Sequence, residues 1–119
     1  MKISVGRQEL TKEILQIEGL AIVNFGAGGN RDCKNLRRHL QAAAHEHEEA
    51  IRVLVIDWES EPEVAARYNV FGVPCTLVFY DGRFICRRYG VFDIHDFLEE
   101  IAAYISASRD DADSPSSTN

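Results

Sequence analysis

Two short runs, Leu20-Ala21-Ile22-Val23-Asn24-Phe25 and Arg52-Val53-Leu54-Val55-Ile56, are almost wholly apolar, whereas most other apolar residues recur at helical spacing. Continuous runs of this length predict strands buried on both faces. Thr76-Leu77-Val78-Phe79-Tyr80 reads as a third strand, and Asp81-Gly82 as a hairpin into Arg83-Phe84-Ile85-Cys86, because both residues tolerate the positive φ of a tight turn. Ile3 to Val5 reads as a short first strand.

The helical rhythm fills the gaps. Leu10, Ile14 and Ile17 predict a helix over Gln8 to Glu18. Cys33, Leu36, Leu40, Ala43 and Ala44 form one stripe of a helix from Asp32 to about Glu49. Pro62 suits the first turn of a short helix, Glu63 to Tyr68. Asp93 is placed to cap a last helix whose apolar positions are Ile94, Phe97, Leu98, Ile101, Ala102 and Ile105. Strands separated by helices pair in parallel through right-handed crossovers, and the hairpin adds antiparallel strands. The predicted class is α/β, a mixed central sheet with helices on both faces. Residues 1–107 form one domain, and residues 108–119, rich in Ser and Asp with no apolar anchor, form a disordered acidic tail.

Composition narrows the function classes. The formal charge of −6 argues against nucleic acid and against anionic membrane surfaces as partners. No stretch approaches the roughly 20 apolar residues of a membrane span, and the first residues lack the apolar core of a signal peptide. Three cysteines, an odd number, do not make a disulfide framework, so a reducing cytoplasm is expected.

The chemistry concentrates after the first buried strand. Gly26-Ala27-Gly28-Gly29 leads into Asn30-Arg31-Asp32-Cys33. A strand that ends in a glycine turn and opens a helix is where a Cys-x-x-Cys pair acts as a dithiol. Here Asn30 holds the first position. A dithiol cycle needs one thiolate to attack and a second thiol to resolve the mixed disulfide, so that cycle cannot run at this site.

The element order, this half-motif and Gly72-Val73-Pro74-Cys75-Thr76 before the hairpin resemble the thioredoxin family over roughly residues 8 to 106. Val23-Asn24-Phe25, Cys33-Lys34, the segment Pro62 to Val70, Phe79-Tyr80-Asp81-Gly82 and Gly90 each resemble a family motif. The resemblance implies a thioredoxin-like fold and a cis Val73–Pro74 bond. It also sharpens the departures: Asn30 for the first cysteine, Gly26 and Gly29 for flanking tryptophans, Asn24 for a buried aspartate, Val55 for its lysine neighbour, and Arg38 for a helix-bending proline.

Two functions from different classes follow. The first is a chaperone-like or adaptor module, not a dithiol reductase, that binds a protein or peptide at the cis-proline face through Asn30, Trp58, Phe71, Val73 and Pro74. The alternative is a monothiol thiol–disulfide oxidoreductase or redox sensor in cell redox homeostasis, using Cys33 and, in one version, Cys75. Cys33 opens a helix beside Arg31, Lys34 and Arg37, yet it also shares the apolar stripe of Leu36 and Leu40. Cys75 is either a partner for Cys33 or an ordinary strand residue; a disulfide needs Cα atoms within about 7 Å. Cys86 reads as core. Trp58 either borders the binding face or folds inward. No cofactor or metal is expected: the glycines lack Rossmann or P-loop spacing, and His45 and His47 point to different helix faces.

Overall fold

The uninterrupted burial of Ala21 to Phe25 makes the first long run the centre of the molecule. Residues 12, 14, 16–47 and 50–113 are described in the computed structural model, with side chains of the last helix as far as residue 107. Strand β1 (Leu20–Gly26) pairs in parallel with β2 (Ile51–Asp57) and antiparallel with β3 (Cys75–Tyr80). Strand β4 (Arg83–Tyr89) closes the order β2-β1-β3-β4. Helix α1 (Arg31–Glu46) links β1 to β2, α2 (Pro62–Arg67) links β2 to β3, and α3 (Ile94–Asp113) follows β4.

Alternation along β1 separates two cores. Ala21, Val23 and Phe25 pack with Leu54, Ile56, Leu77 and Phe79 beneath Val64 of α2 and under Ile14 and Ile17. Ile22 points the other way, to Leu36 and Leu40 of α1, Val53, Val55 and Ile94, and Val78 meets Phe97 and Ile101 of α3 on that same side. Burying one large aliphatic or aromatic side chain is worth about 1.5–3 kcal/mol, so both faces hold the sheet. This is the mixed sheet with helices on both faces that the patterning predicts.

Several boundaries differ from expectation. Helix α1 stops at Glu46, because His47 leaves the helical region at φ −123° and its N–H closes back on Ala43 O at 3.0 Å. Strand β4 runs on to Tyr89, with a register shift after Val78 that leaves Ile85 without a partner. The hairpin turn has Asp81 at φ 50° and Gly82 at φ 82°. Asp81 also accepts the Gly19 N–H at 2.7 Å and donates its own N–H to Gly19 O at 3.0 Å, which fixes the entry to β1. Helix α3 continues to Asp113, into the segment expected to be a tail. Lys12, Ile14 and Gln16 are helical, but the strand expected over residues 3–5 and most of the first helix lie outside the described residues.

Candidate functional site

The junction of β1 and α1 is built by its cap. Asn30 sits at φ −92° and ψ 124°, and its Oδ1 accepts the Cys33 N–H at 2.9 Å. Its backbone closes the turn on either side, N–H to Ala27 O and carbonyl from Lys34 N–H, both at 3.1 Å. Asparagine is among the best N-caps because its short side chain satisfies a helix N–H left without a partner. Asp32 in the first turn complements the same helix end. The sequence pattern places Asn30 at a lost cysteine and on a binding face; the structure adds a capping role, whose local signal is an Asn just before an apolar helical stripe.

Cys33, third in the helix, is 4% exposed. It lies against the end of β1: a Cβ added at Gly26 would stand 3.1 Å from Cys33 Cβ and 3.4 Å from its Sγ. A side chain at Gly26 would require Cys33 to give by a few tenths of an ångström, so glycine favours this close approach. A Cβ at Gly28 or Gly29 would meet nothing within 4 Å, so the approach beside the helix end is open. Two residues before Gly26, Asn24 is buried and its Nδ2 donates to the buried Thr76 Oγ1 at 3.1 Å.

Cys75 is fully buried on the other side of the sheet. It packs with Phe25, Leu77 and Val64, under α2, whereas Cys33 rides on α1. The structure therefore does not bring Cys33 and Cys75 together, and both are free thiols. Tyr89 is the cross-strand partner of Cys75 and Arg87 that of Leu77. Burial pushes the Cys75 thiol above its ordinary range; the positive charge of Arg87, then hydrogen bonds from Tyr89 and Arg87, oppose that push. Arg87 Nη2 also donates to Tyr68 O at 2.6 Å, while Tyr89 Oη donates to Asn69 O at 3.2 Å and accepts the Phe71 N–H at 3.3 Å. These two residues pin the loop before the proline, and no local sequence pattern announced them. The half-buried Cys86, on the α3 side, is likewise pushed up by burial, with Arg88 opposing and Glu100 adding to the shift.

The remaining candidates divide. The Val73–Pro74 bond is cis, Pro74 is buried, and its carbonyl accepts the Gly90 N–H at 2.9 Å. Val73 is half-buried against the α2-side core. Trp58 packs partly on that core, its N–H bonded to Gly26 O at 3.1 Å. Phe71, by contrast, is 80% exposed. Trp58 and Phe71 line one groove with Pro62 and Ala66; Asn30, Val73 and Pro74 do not line it. Among the described residues no three His, Cys, Asp or Glu side chains are grouped to hold a metal ion, and no helix is long and apolar enough to cross a membrane.

The thioredoxin family model matches residues 2–104. The chain belongs to the thioredoxin family. Its relatives include the thioredoxin of Buchnera aphidicola subsp. Schizaphis graminum, 29% identical over 96 residues, which are 78% of this chain and 89% of the relative. The thioredoxin of Chlamydia trachomatis serovar D is 30% identical over 86 residues, 72% of this chain and 83% of its own length. That of Staphylococcus aureus is 32% identical over 83 residues, 70% and 79% respectively. These matches correct the first of the two functions drawn from the sequence. A binding or chaperone-like module that has left redox chemistry is not supported when the relatives are named thioredoxins. The thiol reading fits them better.

Proposed function

We propose that this chain is a thiol–disulfide oxidoreductase of the thioredoxin family that works through a single thiol, Cys33. The observation that carries the proposal is the seat of that thiol: the first turn of α1, against Gly26, at the open glycine end of the central strand. Exchange begins when the Cys33 thiolate attacks one sulfur of a disulfide. A Cys33–S–S–R bond forms, the substrate S–S bond breaks, and the departing sulfur takes up a proton. With Asn30 in place of a second nearby thiol, resolution falls to an external one, a low-molecular-weight thiol or a partner's cysteine. That thiol attacks the R sulfur and supplies the electron pair, and Cys33 leaves as the thiolate. The substrate is a protein or peptide disulfide presented at the cis-proline face. Three free thiols suit a reducing compartment, the cytoplasm.

The test uses the native protein and oxidised glutathione, with the adduct located by peptide mass mapping. A mixed disulfide is expected on Cys33, reversed by reduced glutathione, absent in Cys33→Ser and retained in Cys75→Ala. An adduct that forms only after denaturation, or equally on all three cysteines, overturns the proposal.

A further inference from the structure

Strand β4 is the last in the order β2-β1-β3-β4, so one row of its backbone N–H and C=O groups faces no further strand among the described residues. Such a row is a template for one more strand. Its surroundings are far from neutral. Arg83, Arg87 and Arg88 are three of its seven residues, and none of the seven is acidic, in a chain of net charge −6.

The two faces of β4 treat their arginines differently. On the α3 side Arg88 is neutralised: its Nη2 meets Glu100 Oε1 at 2.8 Å, and its guanidinium lies 4.9 Å from the centre of the Phe97 ring. On the α2 side Arg87 is half-buried and held in place without a carboxylate among the described residues. Its Nη2 donates to Tyr68 O at 2.6 Å, and its buried Nε has no hydrogen-bond partner. The same guanidinium stands 5.5 Å from the centre of the Phe84 ring, which meets Phe79 edge-on at 5.7 Å. Phe84 is nevertheless 51% exposed. A fixed cation and a half-covered ring thus lie side by side along an open sheet edge.

Charge selects the occupant. A second copy paired along β4 would set arginine against arginine, and like charges placed opposite one another weaken a strand pair. An acidic segment reverses the sign of that interaction. A strand added at about 4.8 Å would place alternate side chains on the α2 side, beside Phe84 and Arg87. A carboxylate there supplies the counter-charge Arg87 lacks, and an apolar residue two positions away covers the exposed part of Phe84.

We infer that the outer edge of β4 binds an extended acidic segment of another protein as an added strand, with a carboxylate facing Arg87 and an apolar side chain facing Phe84. No sulfur takes part, so the edge stands or falls apart from the thiol reading.

Two capped, cysteine-free heptapeptides of valine and threonine serve as probes, one with a central glutamate and one with a central lysine. In nuclear magnetic resonance titrations the glutamate peptide is expected to move the backbone amide signals of residues 83–89. At saturation it should slow hydrogen exchange of the outward N–H groups of β4 about tenfold or more. At low ionic strength it should bind about fivefold more tightly than the lysine peptide, an advantage that shrinks as salt screens the arginines. Methylating the peptide nitrogens that face β4 should abolish binding, because main-chain hydrogen bonds carry an added strand. Arg87→Gln should erase the preference between the peptides. Arg83→Glu, at an exposed position beside the turn where folding is not at stake, should weaken the glutamate peptide about threefold. Equal affinities for the two peptides, unmoved β4 amides, signals that move only in the loop before Pro74, or a methylated peptide that binds as well overturns the proposal. Protection of β4 that rises with protein concentration in the absence of peptide gives the edge to a second copy and overturns it too.

Discussion

Cys33, in the first turn of α1, and Cys75, at the start of β3, carry the same side chain, yet the sheet sends them to opposite sides. Cys33 lies at a helix start beside glycines with open space around them. Cys75 is a strand residue, paired across to Phe25 and to Tyr89 and sealed by the α2-side core. The strand parity decides this. Thr76, one residue on from Cys75, is the side chain that shares a face with Asn24 and Ile22, the side on which α1 packs. Both thiols are buried, but Cys33 sits at a helix start beside exposed glycines, whereas Cys75 is a small hydrophobe of the strand. Proximity of loops is not proximity of sulfurs.

The hardest blow to the Cys75 side is Phe25→Ala. Phe25 is fully buried and directly opposite Cys75, so the truncation should cost about 3–5 kcal/mol. Urea unfolding should show a lower midpoint, and native-state alkylation should open Cys75 while the rate at Cys33 changes little. If Cys33 instead became the faster thiol, the two faces would not be independent.

A middle-sized effect separates burial from pairing on the Cys33 side. Thr76→Val removes the hydroxyl that accepts from the buried Asn24 Nδ2. An orphaned buried donor costs about 1–3 kcal/mol, measured as a shift in denaturation midpoint. Adding Asn24→Leu should recover part of that loss, since an apolar pair leaves nothing unsatisfied. Failure to recover would mean that the amide has a second role beneath the thiol.

The buried thiols also set a pH dependence. Burial holds the Cys75 and Cys86 thiols above their ordinary value of 9.0. Below 9.0 both folded and unfolded chains keep these protons, and the contribution is fully present. Above it the unfolded chain releases them first, so stability falls as pH rises toward the folded values. Cys75→Ala should flatten that fall in thermal melts between about pH 8.5 and 10.5. An identical slope in the variant would place the titration elsewhere.

The central strand, the hairpin and the apolar stripe of α1 were legible because each rests on a local period or a local turn. The face of Cys75 was not, for a physical reason. A one-residue change of strand register moves every side chain across the sheet, and the sequence marks only roughly where β3 starts. Arg87 and Tyr89 were hidden in the same way. They read as ordinary hairpin residues, and their value comes from bonds to Tyr68, Asn69 and Phe71, brought close only by the fold. Trp58 was open between surface and core, and the half-buried position gives it both roles: one part packs inward and another walls the groove.

Asn30 carries the smallest and most diagnostic prediction. If its side chain matters as a cap, Asn30→Ala should lower stability by about 1 kcal/mol, because the Cys33 N–H then loses its acceptor, Asn30 Oδ1 at 2.9 Å. Asn30→Asp should preserve the cap, since a carboxylate accepts the same bond and suits the positive end of the helix. The two variants therefore part cleanly in a denaturation experiment. They should part in chemistry as well, in the opposite sense to stability. The alanine variant frees the first turn and should quicken alkylation at Cys33, while the aspartate variant holds the turn and sets a negative charge beside the incoming thiolate or disulfide. Slower exchange in Asn30→Asp at unchanged stability would assign the rate at Cys33 to the charge at position 30, and equal rates in both variants would assign it to the seat on Gly26 alone.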